Sequence, residues 1–267
     1  MKPLSRNISV LVWIVLCTGL LSGCMYPGYN SSAVDNRVAV REDVVLVQAA
    51  VEEYRKVTGV LPIHNSDMST PKYEKFKIDF SRLTNGPFLS KIPDSAFESG
   101  GKHNYLIIED GGQFLVRLMD IQVFQQVTDL ETVVRQYRQA NNGDVPGKTE
   151  ISPGWYSIDY EKLDVDRLQV TSMFTGSLLP ILISQEGELA VDYAPDIMKI
   201  IREQKVSSEE GAPAANSSTA AVSGSELAKM DDLRSLLVAS HQYVPVKSQP
   251  YIWVDDQPIL ATDKMDQ

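Results

Sequence analysis

The chain has 267 residues, 35 acidic against 25 basic, a formal net charge of −10 and two cysteines. Such an acidic balance argues against nucleic acid, where affinity rests on Lys and Arg contacts to phosphate, and against broad electrostatic adhesion to anionic lipid. The length suffices for one large domain or two small ones, each with a modest core.

The chain opens MKPLSRN, with Lys2 and Arg6 and no acid, followed by ISVLVWIVLCTGLL (Ile8–Leu21). This apolar run is shorter than the roughly 20 residues of a membrane span. A basic start, a short apolar core and small residues before a break mark an export signal. The run ends Leu21-Ser22-Gly23-Cys24. That quartet resembles the lipobox of bacterial lipoproteins. The resemblance implies a signal peptide over residues 1–23 and a lipid attached to the Cys24 sulfur. Cys17 would leave with the signal, as would two basic residues, taking the formal charge from −10 to −12. One alkylated cysteine would remain, so neither a disulfide nor a thiolate metal site is expected.

Residues 24–40 read as a polar, lipidated leash with Pro27, Gly28 and two serines. From Glu42 the pattern changes. Val44, Val47, Val51 and Tyr54 form one apolar stripe on a helix reaching about Thr58, stopped by Gly59 and Pro62. Asp110-Gly111-Gly112 between apolar runs predicts a closing β-hairpin. These elements make up a first unit, residues 41–120.

The design then repeats over residues 121–205. Phe124, Val127, Leu130, Val134 and Tyr137 stripe a second helix, ended by Asn141-Asn142-Gly143. VEEYRKVTGVLP (Val51–Pro62) matches VRQYRQANNGDVP (Val134–Pro146) with one residue inserted. KFKIDFSRL (Lys75–Leu83) matches WYSIDYEKL (Trp155–Leu163), and LIIEDGGQFLV (Leu106–Val116) matches ILISQEGELAV (Ile181–Val191). Three blocks in one order indicate a duplication.

Residues 206–226 are rich in Ser, Ala and Gly and read as a disordered linker. In the tail, residues 227–267, Ala228–Ala239 is compatible with a short helix. Tyr251–Ala261 repeats the hairpin pattern, with Pro258 confining its return strand to an edge or a bulge. The expected fold is therefore α+β. It is a tandem repeat of two units, each one helix packed on a small antiparallel sheet with a closing hairpin, plus a C-terminal helix-hairpin tail.

Residues 44–118 resemble the soluble heads of type IV pilins and type II secretion pseudopilins. Tyr54, Gly59 and Pro62 at the helix end, then Leu89, Lys91, Pro93 and Tyr105, carry the resemblance. It implies a helix on a small antiparallel sheet. The lipobox stands where that family has its long apolar assembly helix, so the head alone carries over. Some family members bind calcium before the last strands, where Asp94 and Glu98 lie here, but two acids do not make a recognisable ligand spacing.

No catalytic constellation emerges. GDVPGKT (Gly143–Thr149) has three residues between its glycines where a P-loop needs four, and it follows a helix. It reads as a helix-end turn. His64, His103 and His241 are scattered in predicted loops without a second ligand nearby. Glu109-Asp110 and Asp255-Asp256 fit hairpin turns. Asp79 and Asp159 occupy matching places in the repeats and read as caps or strand-end partners. Trp155, Tyr156, Tyr251 and Trp253 could offer a sugar-stacking surface, although aromatic strand residues usually belong to a core.

These features point to a non-enzymatic, extracytoplasmic lipoprotein at the cell membrane. Cys24 would be its lipid attachment site, another envelope protein its partner, and no metal, cofactor or nucleic acid is expected. Two other readings are a solute-binding lipoprotein of an ABC transporter, which would show β-α alternations in two parallel-sheet lobes, and an envelope hydrolase using paired carboxylates.

Overall fold

A computed structural model describes residues 31–209 and 223–261. Cys17, Cys24 and the signal segment lie outside the described residues. The chain divides into a leading unit, residues 1–42, and a unit of residues 43–267. Of the leading unit, the described part is the start of helix α1 (Ser31–Thr58). This helix begins eleven residues before Glu42, inside the segment expected to be a leash. No Gly or Pro interrupts Ser31–Thr58, so nothing breaks the helical ladder once it has formed.

Residues 43–267 hold both repeats and the tail, and their secondary structure is α+β with antiparallel sheets. In the first repeat α1 buries Val44, Val47, Ala50 and Val51. Short helix α2 (Phe80–Thr84) follows, then strands β1 (His103–Asp110) and β2 (Gln113–Asp120). β1 and β2 pair antiparallel with Asp110 opposite Gln113, so Gly111 and Gly112 form the whole turn. Both have positive φ, +54° and +79°, the conformation a two-residue hairpin loop of this hand requires. A short run at Lys77 joins the sheet antiparallel to Leu106 of β1.

The second repeat starts with α3 (Ile121–Ala140), whose N-cap Asp120 accepts from the Gln122 and Val123 amides. It continues through β3 (Gly147–Ser152), β4 (Trp155–Ile158), α4 (Tyr160–Leu163), β5 (Gln169–Thr171), β6 (Leu178–Ser184) and β7 (Leu189–Val191). β4, β5 and β7 all pair antiparallel with β6, and β3 pairs with β4 at the edge.

The duplication is visible in the backbone. Asp79 donates its amide to the Pro62 carbonyl, and Asp159 donates to the Pro146 carbonyl, both at 2.8 Å. Beside them, Lys77 bridges Leu106 antiparallel and Ser157 of β4 pairs antiparallel with Leu182 of β6, one residue beyond Ile181, the counterpart of Leu106. One apolar core joins the repeats. Val127, Leu130 and Val134 of α3 share it with Leu106 and Met119 of the first sheet and Ile181 and Ile183 of the second. Burying each such side chain contributes about 1.5–3 kcal/mol.

Helix α5 (Ala194–Glu209), α6 (Gly224–Leu227), α7 (Arg234–Ser240) and hairpin β8 (Tyr251–Val254)–β9 (Gln257–Leu260) complete the chain. Both ends of the segment expected to be a linker, residues 206–226, are helical or capping. α5 runs to Glu209, continuing its helical pattern, and Ser223 with Glu226 forms a capping box that starts α6. Residues 210–222 lie outside the described residues. Pro258 sits opposite Trp253 in the two-stranded β8–β9 sheet, a place where a missing donor is tolerated.

The tail docks on both repeats. Leu118 of β2 pairs in parallel with Tyr243. Farther along, the Lys247 carbonyl accepts from the Val191 amide of β7 at 2.7 Å. The rest of the outer β2 edge is closed by one side chain of α1. The Gln48 amide donates to the Phe114 carbonyl at 2.9 Å and accepts from the Val116 amide at 2.7 Å. An edge that could template pairing with another chain is thereby occupied.

Candidate functional site

A groove of about 890 Å³ lies in the second repeat where the β6 ladder passes from β4 to β5. β4 pairs with Leu182–Ser184 and β5 with Leu178–Pro180. The chain between β4 and β5, residues 159–168, makes an excursion that carries α4 and forms one wall. Ile158 and Ile181, both buried, belong to the apolar part of the lining. The excursion contributes Asp159, Glu161, Asp164, Asp166 and Arg167, and Lys148 of β3 faces the same space. The lining therefore has four carboxylates against two cations. Among the described residues, no ion pair within 4.0 Å involves any of these six groups.

Each wall residue is placed by local structure. Asp159 is fixed by the hydrogen bond its amide donates to the Pro146 carbonyl, at the N-cap of α4. Its side chain makes no capping bond, and its Oδ1 is buried without a hydrogen-bond partner. Asp164 ends α4 at φ +51°, a left-handed position that Asp adopts more readily than most residues. The Tyr160 hydroxyl donates to the Leu168 carbonyl at 3.1 Å, which ties the two ends of the excursion together. Burial pushes the Tyr160 phenol up.

Asp79, the counterpart of Asp159 in the first repeat, is fully engaged. Its Oδ1 accepts from the Ser81 amide at 3.1 Å and the Ser81 hydroxyl at 2.5 Å. Its Oδ2 accepts from the Arg82 Nε at 3.1 Å. The Ser81 hydroxyl, and after it Arg82, hold the Asp79 carboxyl below the ordinary range. Asp79 is thus the cap expected from the sequence. Asp159 keeps the position and lacks the side-chain bonds.

The remaining candidates disperse. Gly143 at φ +87° and Asn142 at +55° follow α3, so GDVPGKT is a helix-end turn leading into β3. His103 is not a loop residue: it is the first residue of β1 and buried, because the bridge from Ala96 brings a covering segment over it. His241 directly follows α7 and is half-buried, its ring 5.4 Å from that of Phe174. Trp155 and Tyr251 are core residues with 3% and 1% exposure. The Tyr251 hydroxyl donates to Asp192 and accepts from the Tyr193 amide. Tyr156 and Trp253 are half-buried, so the four aromatics do not form an open stacking surface. Asp94 pairs with Lys91 at 2.6 Å on the surface. Among the described residues, no three His, Cys, Asp or Glu side chains converge as metal ligands.

Two arrangements have little sequence signature. One is the Gln48 clamp on β2. The other is Lys247, at φ +55°, whose amide donates to Glu74 at 3.0 Å and whose Nζ reaches Glu131 at 3.0 Å. The emptied partner positions beside Asp159 could be read from the repeat itself, since Ser81-Arg82 becomes Glu161-Lys162.

Comparison with known proteins adds one similarity. Residues 40–120, from within α1 to the end of β2, match the family model described as the YphF family N-terminal domain. No curated protein and no solved structure matches the chain. The first repeat is therefore similar to the N-terminal domain of the YphF family.

Proposed function

We propose that this chain is an extracytoplasmic lipoprotein, tethered by a lipid on Cys24, that binds another protein of the cell envelope and does no chemistry of its own. The observation that carries the reading is the quartet Leu21-Ser22-Gly23-Cys24 closing a short apolar run behind a basic start. No helix among the described residues is long and apolar enough to cross a membrane. The tether is assigned to the acyl chains on the Cys24 sulfur, which gain about 0.8 kcal/mol per buried CH₂. The head resemblance of residues 44–118 and the antiparallel sheets support a binding body over the parallel two-lobed plan of a solute binder. The direct test is fatty-acid labelling of the full-length protein in a bacterial cell, with fractionation. Label and membrane association that both vanish in Cys24→Ser support the tether. An unlabelled wild-type protein contradicts it.

A further inference from the structure

The two repeats treat the same carboxylate differently, and the difference points to a ligand. In the first repeat the sequence Ile78-Asp79-Phe80-Ser81-Arg82 supplies Asp79 with a hydroxyl at 2.5 Å and a guanidinium nitrogen at 3.1 Å. In the second, Ile158-Asp159-Tyr160-Glu161-Lys162 replaces the hydroxyl with an acid. Lys162 is not part of the groove lining and pairs with no carboxylate within 4.0 Å. A buried carboxylate oxygen without a donor is costly to leave unsatisfied, and Asp159, which carries it, lines a groove of about 890 Å³. That volume lies within the range of ordinary ligand sites.

We propose that the groove receives a basic side chain, guanidinium or ammonium, carried by a segment of a partner protein, with Asp159 as its counter-charge. The inference rests on the protein-binding reading above and names the chemistry of the partner. The first repeat supplies an internal example of a cation on this aspartate, the Arg82 guanidinium on Oδ2 beside Ser81 on Oδ1. Glu161, Asp164 and Asp166 add negative charge around the entrance and outnumber Lys148 and Arg167, so the charge favours a cation over a phosphate or a lipid headgroup. Val165 and Pro180 offer apolar surface to the methylene stem of an Arg or Lys while its head meets the carboxylate. The Tyr160–Leu168 bond fixes the wall across which that head would lie.

The probe is a fluorescein-labelled pentapeptide with a central arginine, and its control carries citrulline, which has nearly the same shape without the charge. Each is titrated against the full chain in nanodiscs of zwitterionic lipid, with anisotropy as the readout. Binding of the arginine peptide at least about tenfold tighter than citrulline, and a similar loss in Asp159→Asn, support the proposal. The double substitution Glu161→Ser with Lys162→Arg recreates the first repeat's arrangement. It should also abolish the preference, by supplying Asp159 with partners of its own. Asp79→Asn should bind as wild type does. Equal binding of the two peptides, or a graft that leaves the preference intact while circular dichroism shows a folded chain, overturns the proposal. Cross-linking of the tethered chain separates this inference from the broader one. A protein adduct undiminished in Asp159→Asn removes the groove assignment and leaves protein binding standing. The absence of any adduct with wild type removes protein binding itself.

Discussion

Val244 of the tail lies against Leu118 of the first repeat, its amide donating to the Leu118 carbonyl at 3.0 Å while Leu118 donates to the Gln242 carbonyl at 2.8 Å. A segment more than a hundred residues away thus bridges the edge of the first sheet before Lys247 reaches β7 of the second. Val244→Pro removes the donor and leaves the Leu118 carbonyl unsatisfied. Urea denaturation should show about 1–3 kcal/mol of lost stability. An unchanged midpoint would mean that the tail does not hold the first repeat.

Lys247 tests the same clamp at its other end. Its Nζ bonds both oxygens of Glu131 and lies 4.6 Å from the centre of the Phe124 ring. The side chains of Lys247 and Glu131 are 15% and 34% exposed, so water screens the pair only in part. Lys247→Ala should cost about 1–2 kcal/mol. Lys247→Gly should cost less than Ala, by about 1 kcal/mol, because φ +55° is free of strain for glycine. Thermal melts that rank Ala above Gly would contradict the left-handed backbone at this position.

The two aspartates of the repeat should respond unequally. Asp79→Ala removes a side-chain cap and should cost about 1 kcal/mol. Asp159→Ala removes a carboxylate with no side-chain partner and should be neutral or stabilising. Equal losses at both sites would show that Asp159 has a structural partner.

Acid should loosen the tail. Burial pushes His103 and His241 below the ordinary imidazole value of about 6.5, against the opposing pull of Asp120 on His103 and of Glu203 and Asp196 on His241. Lys102 and Lys199 reinforce burial. With folded values depressed, the unfolded chain takes up protons first as pH falls. The stability contributed by each histidine is full above about pH 6.5 and is lost below it. The His103 ring lies 5.8 Å from that of Tyr243, and His241 adjoins Gln242, so the loss falls where the tail pairs with β2. Between pH 7.5 and 5.5 the melting temperature of wild type should drop more than that of His103→Phe. Glu74 and Asp192, whose carboxyls burial pushes up, act in the opposite sense, and the comparison with the variant cancels them. Parallel pH profiles would contradict the account.

What could be read from the sequence was whatever short-range periodicity encodes. The stripes of α1 and α3, the Asp-Gly-Gly turn and the doubled Ile-Asp-aromatic block all depend on neighbours within a few residues, and all appear where local rules put them. The start of α1 was less legible, because Ser31–Arg41 lacks a strong apolar stripe yet also lacks a breaker. The groove was not legible, since it arises where β4 and β5 share β6 and leave residues 159–168 standing clear. The Leu118–Tyr243 pairing joins residues far apart in the chain, and Gln48 is an ordinary polar residue until β2 lies beside it.

The central claim is that the tethered chain holds a protein through its second repeat, and a photo-cross-linker can read this directly. Val165 lines the groove and is 37% exposed, whereas Met68 is 94% exposed in the first repeat. With a benzophenone side chain at either position, the account predicts one discrete protein adduct from position 165 that requires Cys24, and none from position 68. The same adduct from both positions, or none from position 165 in intact membranes, would contradict it.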